Sequence, residues 1–139
     1  MAKIELPPDY RPCDSDEFMN PRQREFFRRK LVAWRDELLR GSVETLGHLK
    51  TGGLHEPDIA DRASLETGTS IVLRTRDRER KLLAKIDAAL RRIEDGTYGY
   101  CAETNEPIGL RRLEARPNAT LSLEAQERHE RHERVRRDD

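Results

Sequence analysis

Aromatic side chains are scarce in this chain, 5% of 139 residues, and hydrophobic residues make up only 35%. An ordinary globular domain is about 45–50% apolar, so a single thick core holding the whole chain is excluded. Cysteine is nearly absent. Cys13 and Cys101 are the two thiols, too few for a disulfide framework, and a reducing cytoplasmic setting is expected. An excess of either charge is missing too: 27 basic and 27 acidic residues cancel. Binding duplex nucleic acid through its phosphates normally needs a basic excess, so direct DNA binding is not expected as the main activity. No apolar run reaches the about 18 residues of a membrane helix, and the opening "MAKIELPPDYRPCD" lacks the apolar stretch of a secretory signal. No membrane association is expected. No P-loop, dinucleotide motif or Ser–His–Asp arrangement is present, and the chain is not expected to be an enzyme.

Charge is what the chain has in plenty, 39% of residues against about 25% in an average domain. Long solvated helices accommodate such a composition. Disorder would also do so, but disorder does not require apolar periodicity, and here there is one. Residues 1–19 are Pro-rich, acidic and irregular in pattern. Asn20 then offers an N-cap, Pro21 a first helical position, and Gln23 a side chain placed to reach back as in a capping box. Phe27, Leu31, Trp34 and Leu38 follow at steps of four, three and four, a seam at helical period. The helix is expected to continue through Leu46 and Leu49 until Gly52, Gly53 and Pro57 stop it, a span of ~45 Å at 1.5 Å per residue.

A second helix is expected to start among Asp58 to Asp61, each a possible N-cap. It should end at Gly96, a natural C-terminal stop. Its seam is Leu83, Ile86, Leu90 and Ile93, and "ETGTS" at 66–70 is expected to soften it without breaking it. Two long helices joined by a short Gly-rich loop must fold back on each other. The predicted fold class is therefore mainly α: an antiparallel coiled-coil hairpin over 20–95 with its tip at about 51–64. The segment 1–19 is expected to pack at the hairpin's base. Residues 96–139 are expected to form a small globular base with a C-terminal helix.

Three features could carry chemistry. At the tip, Asp58 and Asp61 in "HEPDIADRAS" can share the opening turn of a helix. They read either as caps or as an acidic tip built for insertion into a partner. Along the shaft, residues 74–92 are net basic through Arg74, Arg76, Arg78, Arg80, Lys81, Lys85, Arg91 and Arg92. This is either a solvated face or a site for a small polyphosphate, which suits arginine forks better than duplex DNA does. Third, "YGYCAETNEPIGLRRLEARP" at 98–117 has the outline of a zinc knuckle, but Cys101 is followed at ligand spacing by Thr104. His129 and His132 could join Cys101 around a metal, although exposed histidines of a charged helix are far commoner than ligands.

The blocks "DIADRAS", "RDRERKLLAKIDAALRRIEDGTYGYC" and "EPIGLRRLEARPNATL", with "FMNPRQREFFRRKLVAWRDEL" before them, closely resemble the DksA/TraR family of bacterial transcription regulators. The resemblance runs from about Phe18 to Gln126. It implies a coiled coil on a small base that usually holds a zinc finger. It also implies direct binding to RNA polymerase rather than promoter DNA, with the coil entering the secondary channel and the tip reaching toward the catalytic centre. Such regulators destabilise open complexes, act with the alarmone ppGpp, repress ribosomal RNA promoters and help some biosynthetic ones.

Residue by residue, the family's tip positions correspond to Asp58, Asp61 and Ala63. Its alarmone positions correspond to Leu82, Lys85 and Arg116, while a further basic position falls on Gln126, where Arg128 could substitute. Its four zinc ligands correspond to Cys101, Thr104, Ser122 and Ala125. Threonine and serine are poor zinc ligands and alanine is none, so no structural zinc is expected. Packing by Tyr98, Tyr100, Ile108, Leu110, Leu113, Leu121 and Leu123 should hold the base instead. A monomer is expected, with RNA polymerase and ppGpp as partners. Two other functions fit parts of the pattern. One is a Gre-like transcript-cleavage factor, using the acidic tip. The other is a thiol or metal sensor, using Cys101 exposed beside Arg111 or Arg112.

Overall fold

The computed structural model describes residues 4–52 and 59–138, with side chains described outside 42–67 and before 137. Four helices follow in order: α1 Pro21–Gly52, α2 Ile59–Asp95, α3 Leu110–Ala115 and α4 Leu123–Asp138. Among the described residues the one β feature is an isolated antiparallel bridge between Tyr100 and Pro107. The protein is mainly helical, an antiparallel hairpin of α1 and α2 with a C-terminal helix. It divides into two compact units, Val32–Asp87 and Met1–Leu31 with Ala88–Asp139.

In the coil unit, α2 runs unbroken through Gly68, as the weak propensity of one glycine allows. Ile86 is fully buried, while Trp34, Leu38 and Leu83 are half-buried. Arg35 and Asp87 pair between the helices at 3.3 Å. Arg80 and Lys81 pair with Asp77 one turn away at 2.6 and 3.1 Å. Exposed pairs of this kind contribute little to stability, so the apolar seam holds the hairpin and the charges keep it solvated.

In the globular unit, Phe27, Leu31, Tyr98, Leu113 and Ala125 are all fully buried. Phe27 sits between Phe26 and Tyr98, with ring centroids at 5.2 and 5.7 Å. The start of α1 is capped as expected, since Asn20 Oδ1 accepts from the Gln23 N–H at 2.9 Å. The reciprocal half of the capping box is absent. Gln23 is itself fully buried. Its Oε1 accepts from the Met19 N–H at 2.8 Å, and its Nε2 donates to the Cys13 carbonyl at 3.2 Å. The Asn20 N–H is already taken by the Glu17 carbonyl, so the amide serves the preceding turn instead. Replacing Gln23 with Leu would leave the Met19 N–H buried without a partner. The expected cost is about 1–3 kcal/mol, read as a lower thermal unfolding midpoint.

That turn is tight because Met19 has a positive φ of 56° and its side chain lies where a Cβ on Gly99 would fall, 2.9 Å from Cγ. Gly99, at φ 93°, is thus required twice, for its backbone and for the close approach. Phe18 meets the Tyr100 ring edge-on at 5.5 Å. The N-terminal segment therefore packs on the turn after α2. Two of the proposed core residues lie elsewhere. Leu123 is 57% exposed because it opens α4 on the solvent side, where Ala125 faces inward. Tyr100 is 37% exposed, with its ring in a T-shaped contact with Phe18.

Candidate functional site

Helix α2 stops where Gly96 takes a φ of 85°, with the Thr97 and Tyr98 N–H groups both returning to the Arg92 carbonyl, a Schellman-type end. Asp95 accepts from the Thr97 N–H and hydroxyl at 2.9 and 2.5 Å. Those bonds hold its carboxyl below the usual range. The chain then makes a narrow loop. Cys101 N–H donates to the Glu106 carbonyl at 2.8 Å, and Ile108 N–H to that of Gly99 at 2.8 Å. Asn105, in the left-handed region at φ 61°, returns its N–H to Cys101 at 2.9 Å. Ala102 N–H reaches the Thr120 carbonyl at 2.8 Å, which ties the loop to the segment before α4.

Cys101 lies at the centre of this loop and is 1% exposed. Burial pushes its thiol up. The nearby Thr104 hydroxyl and the backbone N–H groups of Ser122, Thr104 and Glu103 favour the thiolate, outweigh burial and bring it to about 6. Two of the other three ligand positions, Thr104 and Ser122, thus lie beside this sulfur and favour its thiolate, without being metal ligands. The Ser122 Oγ accepts from the Ala125 N–H at 3.2 Å and caps α4. Ala125 is fully buried. Cys101 is neither exposed nor paired with Arg111 or Arg112, the condition set for a thiol sensor. His129 pairs with Glu103 rather than with Cys101. Among the described residues no group of three His, Cys, Asp or Glu side chains could hold a metal ion.

Arg116 ends α3. Its N–H donates to the Arg112 carbonyl at 2.7 Å and its carbonyl accepts from Ala119 at 3.0 Å. The side chain is exposed. In α4, Gln126 is half-buried and donates to Glu130 at 3.3 Å, and Arg128 is exposed. Leu82 is half-buried and Lys85 exposed on α2. These last two belong to the coil unit, whereas Arg116, Gln126 and Arg128 belong to the globular one. Of the tip residues, Asp58 lies outside the described residues, and so do the side chains of Asp61 and Ala63.

A family model described as the DnaK suppressor protein DksA, N-terminal domain, matches residues 23–93. The chain belongs to the DksA family. A second model, the prokaryotic dksA/traR C4-type zinc finger, matches residues 96–131. An RNA polymerase-binding transcription factor DksA from Caulobacter vibrioides is 64% identical over 131 residues, which cover 94% of this chain and 92% of that one. A protein of the same name from Escherichia coli is 44% identical, over 83% of this chain and 76% of that one. The solved structure of transcription factor DksA2 from Pseudomonas aeruginosa superposes with a TM-score of 0.79 at 46% identity. It covers 84% of this chain and 90% of that one. Against the C4 description, the residues of this DksA-family knuckle offer one thiol, two hydroxyls and a methyl. They do not fit a tetrahedral zinc site.

The sequence marks Thr104 and Ser122 only as lost ligands. Their lowering of the thiol's affinity for a proton does not follow from ligand chemistry. The C-x-x-T spacing at 101–104 was the available signal for the Thr104 hydroxyl. The Ser122 backbone N–H left no trace in residue identities.

Proposed function

We propose that this chain is a regulator that binds RNA polymerase, and that it is not itself an enzyme. The single observation that carries the reading is the 64% identity, along nearly the full length of both chains, to a protein named for RNA polymerase binding. The coil enters the secondary channel of the polymerase in a reduced cytoplasm. Asp58, Asp61 and Ala63 at the tip act near the active centre to destabilise open complexes. Ribosomal RNA promoters are repressed and some biosynthetic promoters helped, together with ppGpp held by Leu82, Lys85 and Arg116 against polymerase. The protein acts as a monomer, without contacting a specific DNA sequence. Its knuckle works without structural zinc, a reading supported by the single thiol among Cys101, Thr104, Ser122 and Ala125. Among the described residues no helix is long and apolar enough to cross a membrane.

The test is Asp61→Asn with purified polymerase on a ribosomal RNA promoter. A carboxylate that makes one charge-assisted contact contributes about 1.5–3 kcal/mol. Inhibition at fixed concentration should therefore weaken by about tenfold or more, while competition binding to polymerase stays unchanged. Full inhibition by a variant that still binds would sink the tip mechanism. Shortening of RNA in backtracked complexes by the unaltered chain would instead point to a transcript-cleavage factor.

A further inference from the structure

The turn that carries Arg116 is fixed from both sides by residues distant in sequence. Tyr98 is buried, its ring against Phe27, and its hydroxyl donates to the Pro117 carbonyl at 2.7 Å. On the other side, Lys30 of α1 donates through Nζ to the Glu114 carbonyl at 2.8 Å. That carbonyl is one of the last acceptors of α3, which helix geometry leaves without an internal partner. Between these two anchors, both backbone polar groups of Arg116 are used, by Arg112 and Ala119. Pro117 restricts the residue before it to extended backbone, and Arg116 has φ −136° and ψ 86°. All five groups belong to the globular unit. The one part of Arg116 left without a hydrogen-bond or ion-pair partner among the described residues is its exposed guanidinium.

We propose that Tyr98 and Lys30 are positioning residues for Arg116: by pinning the carbonyls of Pro117 and Glu114 they set the direction in which the guanidinium meets a polyphosphate. The inference rests on the reading of Arg116 as an alarmone contact. Its physical basis is preorganisation. A cation whose backbone is already ordered loses less freedom on binding, and a bidentate arginine fork tolerates little misdirection. Arg116 was legible by resemblance; the anchors, 19 and 84 residues away from their partners, were not.

The experiment measures open-complex lifetime with polymerase and the full chain, with ppGpp titrated, for Tyr98→Phe, Lys30→Met, Arg116→Ala and each double variant with Arg116→Ala. Tyr98→Phe keeps the ring and removes the donor. Lys30→Met keeps the stem, and as a surface change it carries the test if Tyr98→Phe folds poorly. Each single anchor variant should raise the ppGpp concentration for half-effect by about three- to tenfold, the range of one hydrogen bond. Inhibition without ppGpp should change by less than about twofold. In the Arg116→Ala background the anchor variants should add nothing further. A half-effect unmoved by either anchor variant but raised by Arg116→Ala overturns the positioning role alone. Losses that multiply in the double variants also overturn it, because they show an effect independent of Arg116. A half-effect unmoved by Arg116→Ala overturns the alarmone reading of that residue, and the positioning role with it.

Discussion

Raising the pH from 6 to 9 is expected to stabilise the folded chain through Cys101. In the unfolded chain this thiol ionises near 9.0, and in the folded one near 6. Between those values the unfolded state holds a proton that the folded state has lost, so stability rises with pH. The contribution is fully present above pH 9.0 and disappears as the pH falls through about 6. Solvent screening reduces what such a shift contributes to stability, so the expected result is the sign of the slope between pH 6 and 9 and its loss in variants. Urea unfolding at several pH values should show the slope in the wild-type chain. Cys101→Ala should flatten it, and Thr104→Val, which keeps the shape but removes the hydroxyl donor, should reduce it. Cys13 is exposed and remains in every variant, so the difference isolates Cys101. The part of the thiolate absorbance that Cys101→Ala removes should titrate near pH 6 rather than 9. A wild-type slope no steeper than that of Cys101→Ala would refute the hydrogen-bonded thiolate. So would about one equivalent of bound zinc whose chelation unfolds the protein, because a metal-bound thiolate gains its stability from the ion.

The same cluster shows where sequence reading ends. That Thr104, Ser122 and Ala125 could not complete a tetrahedral site was legible in their side chains. What replaces the ion was not, because most of the donors to the sulfur are backbone N–H groups of Ser122, Thr104 and Glu103, and every residue has one. The helices were legible for the opposite reason. Phe27, Leu31, Ile86 and Ile93 are buried, and their spacing alone marks the inward stripe of a 3.6-residue period. Gly96 ended α2 where a left-handed residue was needed. Gln23 reads as a capping residue, but its side chain serves Met19 rather than Asn20. A local motif cannot show that Glu17 already occupies the Asn20 N–H. Hydrophobicity alone points Leu123 to the core, yet the side of α4 that faces inward is set by tertiary packing, and Ala125 holds that place.

Replacing Phe27 with Ala is expected to be the most destabilising single change in the globular unit. The ring is fully buried and touches Phe26 edge-on and Tyr98 at a tilt. Its loss removes the transfer energy of a large side chain and leaves a cavity, at a typical cost of about 3–5 kcal/mol. Phe27→Leu, which fills most of the space, should cost clearly less. At about 4–8 °C per kcal/mol for a domain of this size, Phe27→Ala should lower the unfolding midpoint of this unit by about 12 °C or more. The effect should reach beyond stability. Phe27 supports the ring of Tyr98, and Tyr98 holds the Pro117 carbonyl, so a cavity there lets the anchor of the Arg116 turn relax. At a temperature where the variant is still folded, it should respond to ppGpp less than the wild-type chain does, while Phe27→Leu responds almost normally. If Phe27→Ala lowers the midpoint by less than about 4 °C, the ring is not the core of this unit. If it lowers the midpoint fully but leaves the ppGpp response intact, the packing of Tyr98 does not govern the Arg116 turn.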